Sequence, residues 1–72
     1  MPLIYAETNK RLLIERITGN AEIKQHLKDL GLNPGTEISI VTSLSGNLIL
    51  DVLGSRIAIG KDMATKIFVK EN

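Results

Sequence analysis

The sequence contains no cysteine and no tryptophan, and Tyr5 and Phe68 are its only tyrosine and phenylalanine. Without cysteine there is no disulfide, no thiolate metal site and no thiol nucleophile. A reducing cytosol is compatible with that absence, and a cytoplasmic protein is the expectation. Two aromatics cannot build a stacking platform for bases or an aromatic-lined groove for proline-rich peptides. Phe68, set in an apolar stretch, is expected in the core. Charge of one sign is also scarce: nine Lys and Arg face eight Asp and Glu, a formal balance of +1. Counterion release from DNA needs several clustered cations, so no nucleic-acid partner is expected. Long hydrophobic runs are missing, and nothing approaches the ~20 apolar residues that span a bilayer. The opening "MPLIYAETNK" has a short apolar run without a basic flank or cleavage site, so it does not read as a signal peptide. A membrane partner would have to be reached by protein contact, not by insertion.

Catalytic constellations are missing as well. The one histidine is His26. Placed on a helix, it has Glu22 four residues before it and Asp29 three after, so a weak His/carboxylate metal site can be drawn from His26, Glu22 and Asp29. The plainer account is a partly exposed helix histidine, and no HxxxH or CxxC spacing favours the metal. No metal and no cofactor is therefore expected from the residues. Ser39, Ser43, Ser45 and Ser55 fall in strand or turn positions without a nucleophile elbow. The glycines are scattered and make no phosphate loop. The sequence does not read as an enzyme.

What is present is a small fold. Seventy-two residues make one domain, and a chain this short buries only about 60% of its unfolded surface. Lys10 to Ile17, "KRLLIERI", reads as a first strand; the imperfect alternation at Leu12, Leu13 and Ile14 calls for a bulge or for cover on both faces. Asn20 is placed to cap a helix over Ala21–Leu30. Ile23, Leu27 and Leu30 form its apolar stripe, and Glu22 and Lys28 suit its dipole. Lys24 and Lys28 lie one turn apart beside Glu22 and Asp29, a mixed solvated face.

The stretch "LGLNPGTEISIV" then packs a helix end, a turn and a strand into twelve residues. Gly31 can close the helix in the left-handed conformation, with Leu32 folding back as the hydrophobic contact of the cap. Asn33-Pro34-Gly35-Thr36 carries a type II signature, because Pro34 presets φ at the second position and Gly35 supplies φ > 0 at the third. A half-buried strand follows over Thr36–Thr42 with Ile38 and Ile40 inward. Ser43–Asn47 reads as a loop, Leu48–Leu53 as a strand, Gly54-Ser55 as a two-residue turn and Arg56–Ile59 as its return. "GKDMATK" holds one helical turn with Ala64 inward, and Ile67–Val69 is a last strand. Five short strands and one helix fit a small, twisted antiparallel barrel, mainly β, whose helix lies between the first two strands.

At this point the residues resemble a family. The succession Ile14, Ile17 and Gly19; Leu27, Leu30, Gly31, Leu32, Pro34 and Gly35; Val52, Gly54, Ile57, Ala58 and Ile59; Ala64, Ile67 and Val69 is similar to the FeoA pattern over roughly residues 3 to 69. The sequence departs from it at Thr8-Asn9, where Pro-Gly is usual and Asn9 can take φ > 0, at Leu12 in place of a glycine, and at Gly60 in place of an arginine. The matched positions are turn glycines and core aliphatics, so they carry fold more than site. The resemblance implies an SH3-like five-stranded antiparallel barrel. It implies a cytosolic accessory to FeoB, the GTPase-bearing membrane transporter of ferrous iron, with Fe(II) as an associated metal. Related SH3-like domains end DtxR-type metal-dependent repressors, whose helix-turn-helix part is absent here.

Several functions stay open: a module that regulates the transporter by contact, a direct Fe(II) or Zn(II) binding module, or a self-associating or peptide-binding barrel, so a homo-oligomer is also on the table. A metal carrier needs three or four ligands, which favours the first. For the contact surface the sequence offers the exposed helix face, Lys24, Gln25, His26 and Lys28, together with Leu44, which either tucks over the barrel end or stays free for a partner.

Overall fold

The computed structural model describes all 72 residues. In chain order it comprises a 3-10 turn at Leu3–Tyr5, strand β1 (Leu12–Ile17), helix α1 (Ala21–Asp29), strands β2 (Glu37–Leu44), β3 (Asn47–Val52) and β4 (Ser55–Gly60), a single helical turn α2 (Lys61–Ala64) and strand β5 (Ile67–Glu71). The strands form one antiparallel sheet in the order β4-β3-β2-β1-β5. The register slips between Ile14 and Arg16 in β1 and between Ile40 and Thr42 in β2. Such bulges bend a strand and raise its twist, which lets a sheet this small curl around its own core. Leu12 and Ile14 are buried and Leu13 is half-buried on the other face, so the apolar run in "KRLLIERI" reflects partial cover of both faces, and the bulge follows it at Glu15.

One cluster of 14 buried apolar residues fills the interior, drawn from every strand and both helices, with Leu3, Leu32 and Ala64 among them. No polar or charged residue is buried, so the core carries no unpaired polar group to destabilise it.

The helix-to-strand junction follows from two bonds and two glycines. Leu30 is the helix C-cap, and Gly31 follows at φ +88°. Leu32 N donates to Leu27 O at 2.9 Å and Gly31 N to Lys28 O at 2.9 Å, the paired bonds of a Schellman cap. Leu32, fully buried, supplies its hydrophobic contact. Thr36 N then donates to Asn33 O at 3.0 Å, closing the turn in which Gly35 stands at φ +91°. Gly35 N reaches Ile14 O at 2.8 Å and Ile14 N reaches Thr36 O at 3.0 Å. The turn thus delivers the chain directly onto β1, where Leu12 faces Ile38 and Leu13 faces Glu37.

Several elements differ from the sequence reading. The first strand starts at Leu12, not Lys10. Ser43–Asn47 is not a loop: β2 continues to Leu44, and only Ser45 (φ +44°) and Gly46 (φ +85°) turn. The next hairpin turns one residue earlier than expected, on Leu53 (φ +53°) and Gly54 (φ +87°), with Ser55 already paired to Val52. Phe68 is not a core residue. Its neighbours Ile67 and Val69 point inward, so alternation turns Phe68 to the other face, where the Arg16 guanidinium lies 4.1 Å from its ring centroid. Asn9 takes φ +60°, the substitution for glycine expected there.

Candidate functional site: the outer face of helix α1

Helix α1 presents most of its surface to solvent because only one of its residues, Leu27, is fully buried, with Ile23 and Leu30 half-buried beside it. Its start is fixed by Asn20, whose Oδ1 accepts from Ile23 N at 2.8 Å, a side-chain cap for an otherwise unpaired N–H. Lys24, Gln25, His26 and Lys28 are all exposed.

Two grooves flank this face. One, of about 250 Å³, is lined by Ile17, Lys24, Lys28, Leu32, Asn33 and Pro34. Its lining joins aliphatic Ile17, Leu32 and Pro34, from the end of β1, the helix cap and the following turn, to Asn33 and the two exposed lysines, with Leu32 itself fully buried. On the other side a groove of about 380 Å³ is lined by Glu22, Ile23, His26 and Met63. The helix spacing puts the lysines on one side and the Glu22/His26 pair on the other. A third hollow, of about 260 Å³ and away from the helix, is lined by Arg11, Glu37, Ile38, Ser39, Asp51, Leu53 and Gly54.

The three drawn metal candidates separate. His26 and Glu22 share a groove, whereas Asp29 accepts from Gln25 Nε2 at 2.8 Å and lines neither groove. No three His, Cys, Asp or Glu side chains come together anywhere in the chain. Gln25 is thereby turned along the helix toward Asp29. Leu44 does not tuck over the barrel end: it is 59% exposed, at the last residue of β2, and lines neither groove beside the helix.

The sequence reading missed the apolar half of the lysine groove, Ile17, Leu32 and Pro34, and missed Met63 opposite His26. Leu32 and Pro34 were legible as cap and turn residues. Their position beneath the lysines follows from the Schellman closure, which folds residues 32 to 34 back along the last helical turn.

An SH3-like five-stranded barrel carrying one helix defines the class of protein. The FeoA domain model matches residues 1–71, and the chain belongs to the FeoA family. A candidate Fe(2+) transport protein A of Methanocaldococcus jannaschii is 30% identical over 70 residues, which are 97% of this chain and 85% of that protein. The crystal structure of an iron uptake regulatory protein (FeoA) superposes with a TM-score of 0.92 at 30% identity, covering 100% of this chain and 97% of that one. The manganese-activated repressor ScaR, in its apo form, contains the same fold: TM-score 0.91 at 22% identity over 100% of this chain and 35% of the repressor. No helix of the chain is long and apolar enough to cross a membrane.

Proposed function

We propose that this chain is a non-enzymatic accessory protein of ferrous iron uptake that regulates a FeoB-type transporter by binding its cytosolic part through the outer face of α1. Family membership supports the pathway, since the relatives are named for Fe(2+) transport and iron uptake regulation. The observation that carries the surface is the groove in which Ile17, Leu32 and Pro34 meet the exposed Lys24 and Lys28. The accessible aliphatic surface of Ile17 and Pro34 supplies burial that holds a partner segment, and the two cations set orientation and encounter rate.

The test is co-purification with the transporter's cytosolic domain. The chain itself is expected to be retained, and the doubly reversed Lys24→Glu/Lys28→Glu chain is expected to be lost while remaining folded. Retention of the folded double variant would assign the contact to another surface. Ferrous iron uptake that is unchanged when the protein is deleted would overturn the role itself.

A direct Fe(II) or Zn(II) role is the alternative that His26 and Glu22 leave open by sharing a groove. Two protein donors are fewer than a tight site uses, so titration with Fe(II) is expected to show weak binding. A tight stoichiometric site lost in His26→Ala would reverse that order of preference.

A further inference from the structure

The two ends of the sheet are finished differently. On the β5 side, the Met1 ammonium donates to Val69 O at 2.8 Å and Val69 N donates to Met1 O at 2.8 Å, while Pro2 bridges Phe68. That edge is partly paired. Strand β4 forms the other end of the sheet and pairs with β3 alone. The two-residue turn at Leu53-Gly54 makes Val52 and Ser55 a hydrogen-bonded pair. Alternation gives the same status to Leu50–Ile57 and Leu48–Ile59, so the N–H and C=O groups of Arg56, Ala58 and Gly60 point away from β3. None of the hydrogen bonds outside the regular elements uses the backbone of these three residues. An unpaired strand edge of this kind is a template for another strand, which proteins usually guard with charge, proline or cover. In "SRIAIG" the only guard is Arg56.

We infer that β4 is a self-association edge, and that the strand which pairs with it is β4 of a second copy. A two-fold axis at Ala58 satisfies the geometry. Ala58 then faces Ala58 of the second copy, and Arg56 faces Gly60, so both chains present donors and acceptors in matching order. Ala58 brings almost no bulk to the axis and Gly60 brings none. The charges also complement each other. Asp62 Oδ1 lies 2.5 Å from where a Cβ on Gly60 would stand, on the same face of the sheet as the Arg56 side chain. Directly opposed residues carry their side chains on one face. Each Arg56 therefore meets the carboxylate of Asp62 in the other copy, and the pair is made twice. Arg56 has a cross-strand neighbour of opposite sign within its own chain, Asp51, but that carboxylate accepts from Gly54 N at 3.1 Å. Glycine at position 60 leaves room for Asp62 and for the incoming Arg56.

The interface is narrow. The whole chain exposes 4360 Å², and one edge strand covers on the order of a tenth of that, below the size of stable interfaces. Self-association is accordingly weak and concentration-dependent, with a dissociation constant on the order of 0.1–1 mM.

Sedimentation equilibrium of the full chain from 10 µM to 1 mM tests this. A monomer–dimer equilibrium is expected. Ala58→Pro removes an outward N–H without touching the β3 ladder and is expected to leave a folded monomer at 1 mM. Arg56→Glu, a surface change that keeps the strand intact, is expected to weaken dimerisation at least ten-fold. Arg56→Glu combined with Asp62→Arg is expected to restore it. A chain that is monomeric throughout overturns the proposal, as does a dimer indifferent to Arg56→Glu. Loss in Arg56→Glu without recovery in the double variant overturns the register. Should Ala58→Pro fail to fold, the charge-swap pair alone decides.

Discussion

Leu53 stands at φ +53° in a two-residue hairpin turn and is 81% exposed. Both facts run against its chemistry. Left-handed conformation at the first position of such a turn favours asparagine, aspartate or glycine, and an exposed leucine gains nothing from burial. Replacing it with asparagine is expected to raise stability by about 0.5–1 kcal/mol, read as a higher urea midpoint with an unchanged slope. A lower midpoint would mean that the leucine makes contacts this conformation does not account for. The same residue explains why the turn was misplaced in the sequence by one position. Gly54-Ser55 satisfies a rule for hairpin turns, whereas Leu-Gly violates one, and only the pairing of Val52 with Ser55 reveals the frame. Gly31 and Gly35 are the opposite case. Both were legible from sequence because helix stripe, cap and proline turn agree on where φ > 0 falls. Little stands near the Cβ positions of either, with Val52 Cγ1 3.6 Å from that of Gly31 and nothing within 4 Å of that of Gly35. Alanine at either is therefore expected to cost about 1 kcal/mol through backbone strain alone, measured by chemical denaturation. Unmoved midpoints would contradict the turn assignment.

Helix α1 is held as an element by very little: one side-chain cap, one Schellman closure and one fully buried side chain. Asn20→Ala removes the only acceptor for Ile23 N and is expected to cost about 1 kcal/mol. Leu27→Ala opens a cavity beneath the whole helix and is expected to cost about 2–5 kcal/mol. Amide exchange separates the two: the cap variant should quicken exchange in the first turn only, whereas the cavity variant should quicken it throughout the helix. Uniform exchange in both would show that α1 opens as one unit with the sheet. The site on this helix was half legible. Periodicity puts Lys24, Gln25, His26 and Lys28 outside, and no structure is needed for that. The aliphatic lining of the lysine groove was not legible, because Ile17 lies seven residues from Lys24 on a different element and reaches it only through the fold. For the same reason Met63 could not be joined to His26 before α2 was placed beside α1.

At the scale of the whole molecule, the core draws on the chain from Leu3 to Val69, within a body of 29 × 27 × 22 Å. The sequence showed part of that core, since Ile38, Ile40 and Ala64 announce themselves by alternation or position, whereas the expectation of a core Phe68 assigned β5 the wrong inner face, which Ile67 and Val69 occupy. It did not show that the opening residues belong to it. "MPLIYAETNK" carries no strand or helix period, and its docking depends on Leu3 entering the core and on the Met1–Val69 bonds along β5. Leu3 is as completely buried as Ile67 or Val69, although it precedes the first strand. If the core is one cooperative unit, Leu3→Ala should be as costly as a core substitution in the sheet, about 2–5 kcal/mol, a large share of the 5–15 kcal/mol that small domains possess. Urea unfolding followed by circular dichroism and by Tyr5 fluorescence checks this. Tyr5 sits in the 3-10 turn itself, so its signal reports the opening segment while circular dichroism reports the sheet. Coincident transitions, both displaced to lower urea in Leu3→Ala, are expected. A Tyr5 transition that runs ahead of the sheet, with little loss in the sheet's own midpoint, would make the opening segment a separately opening flap rather than part of the barrel.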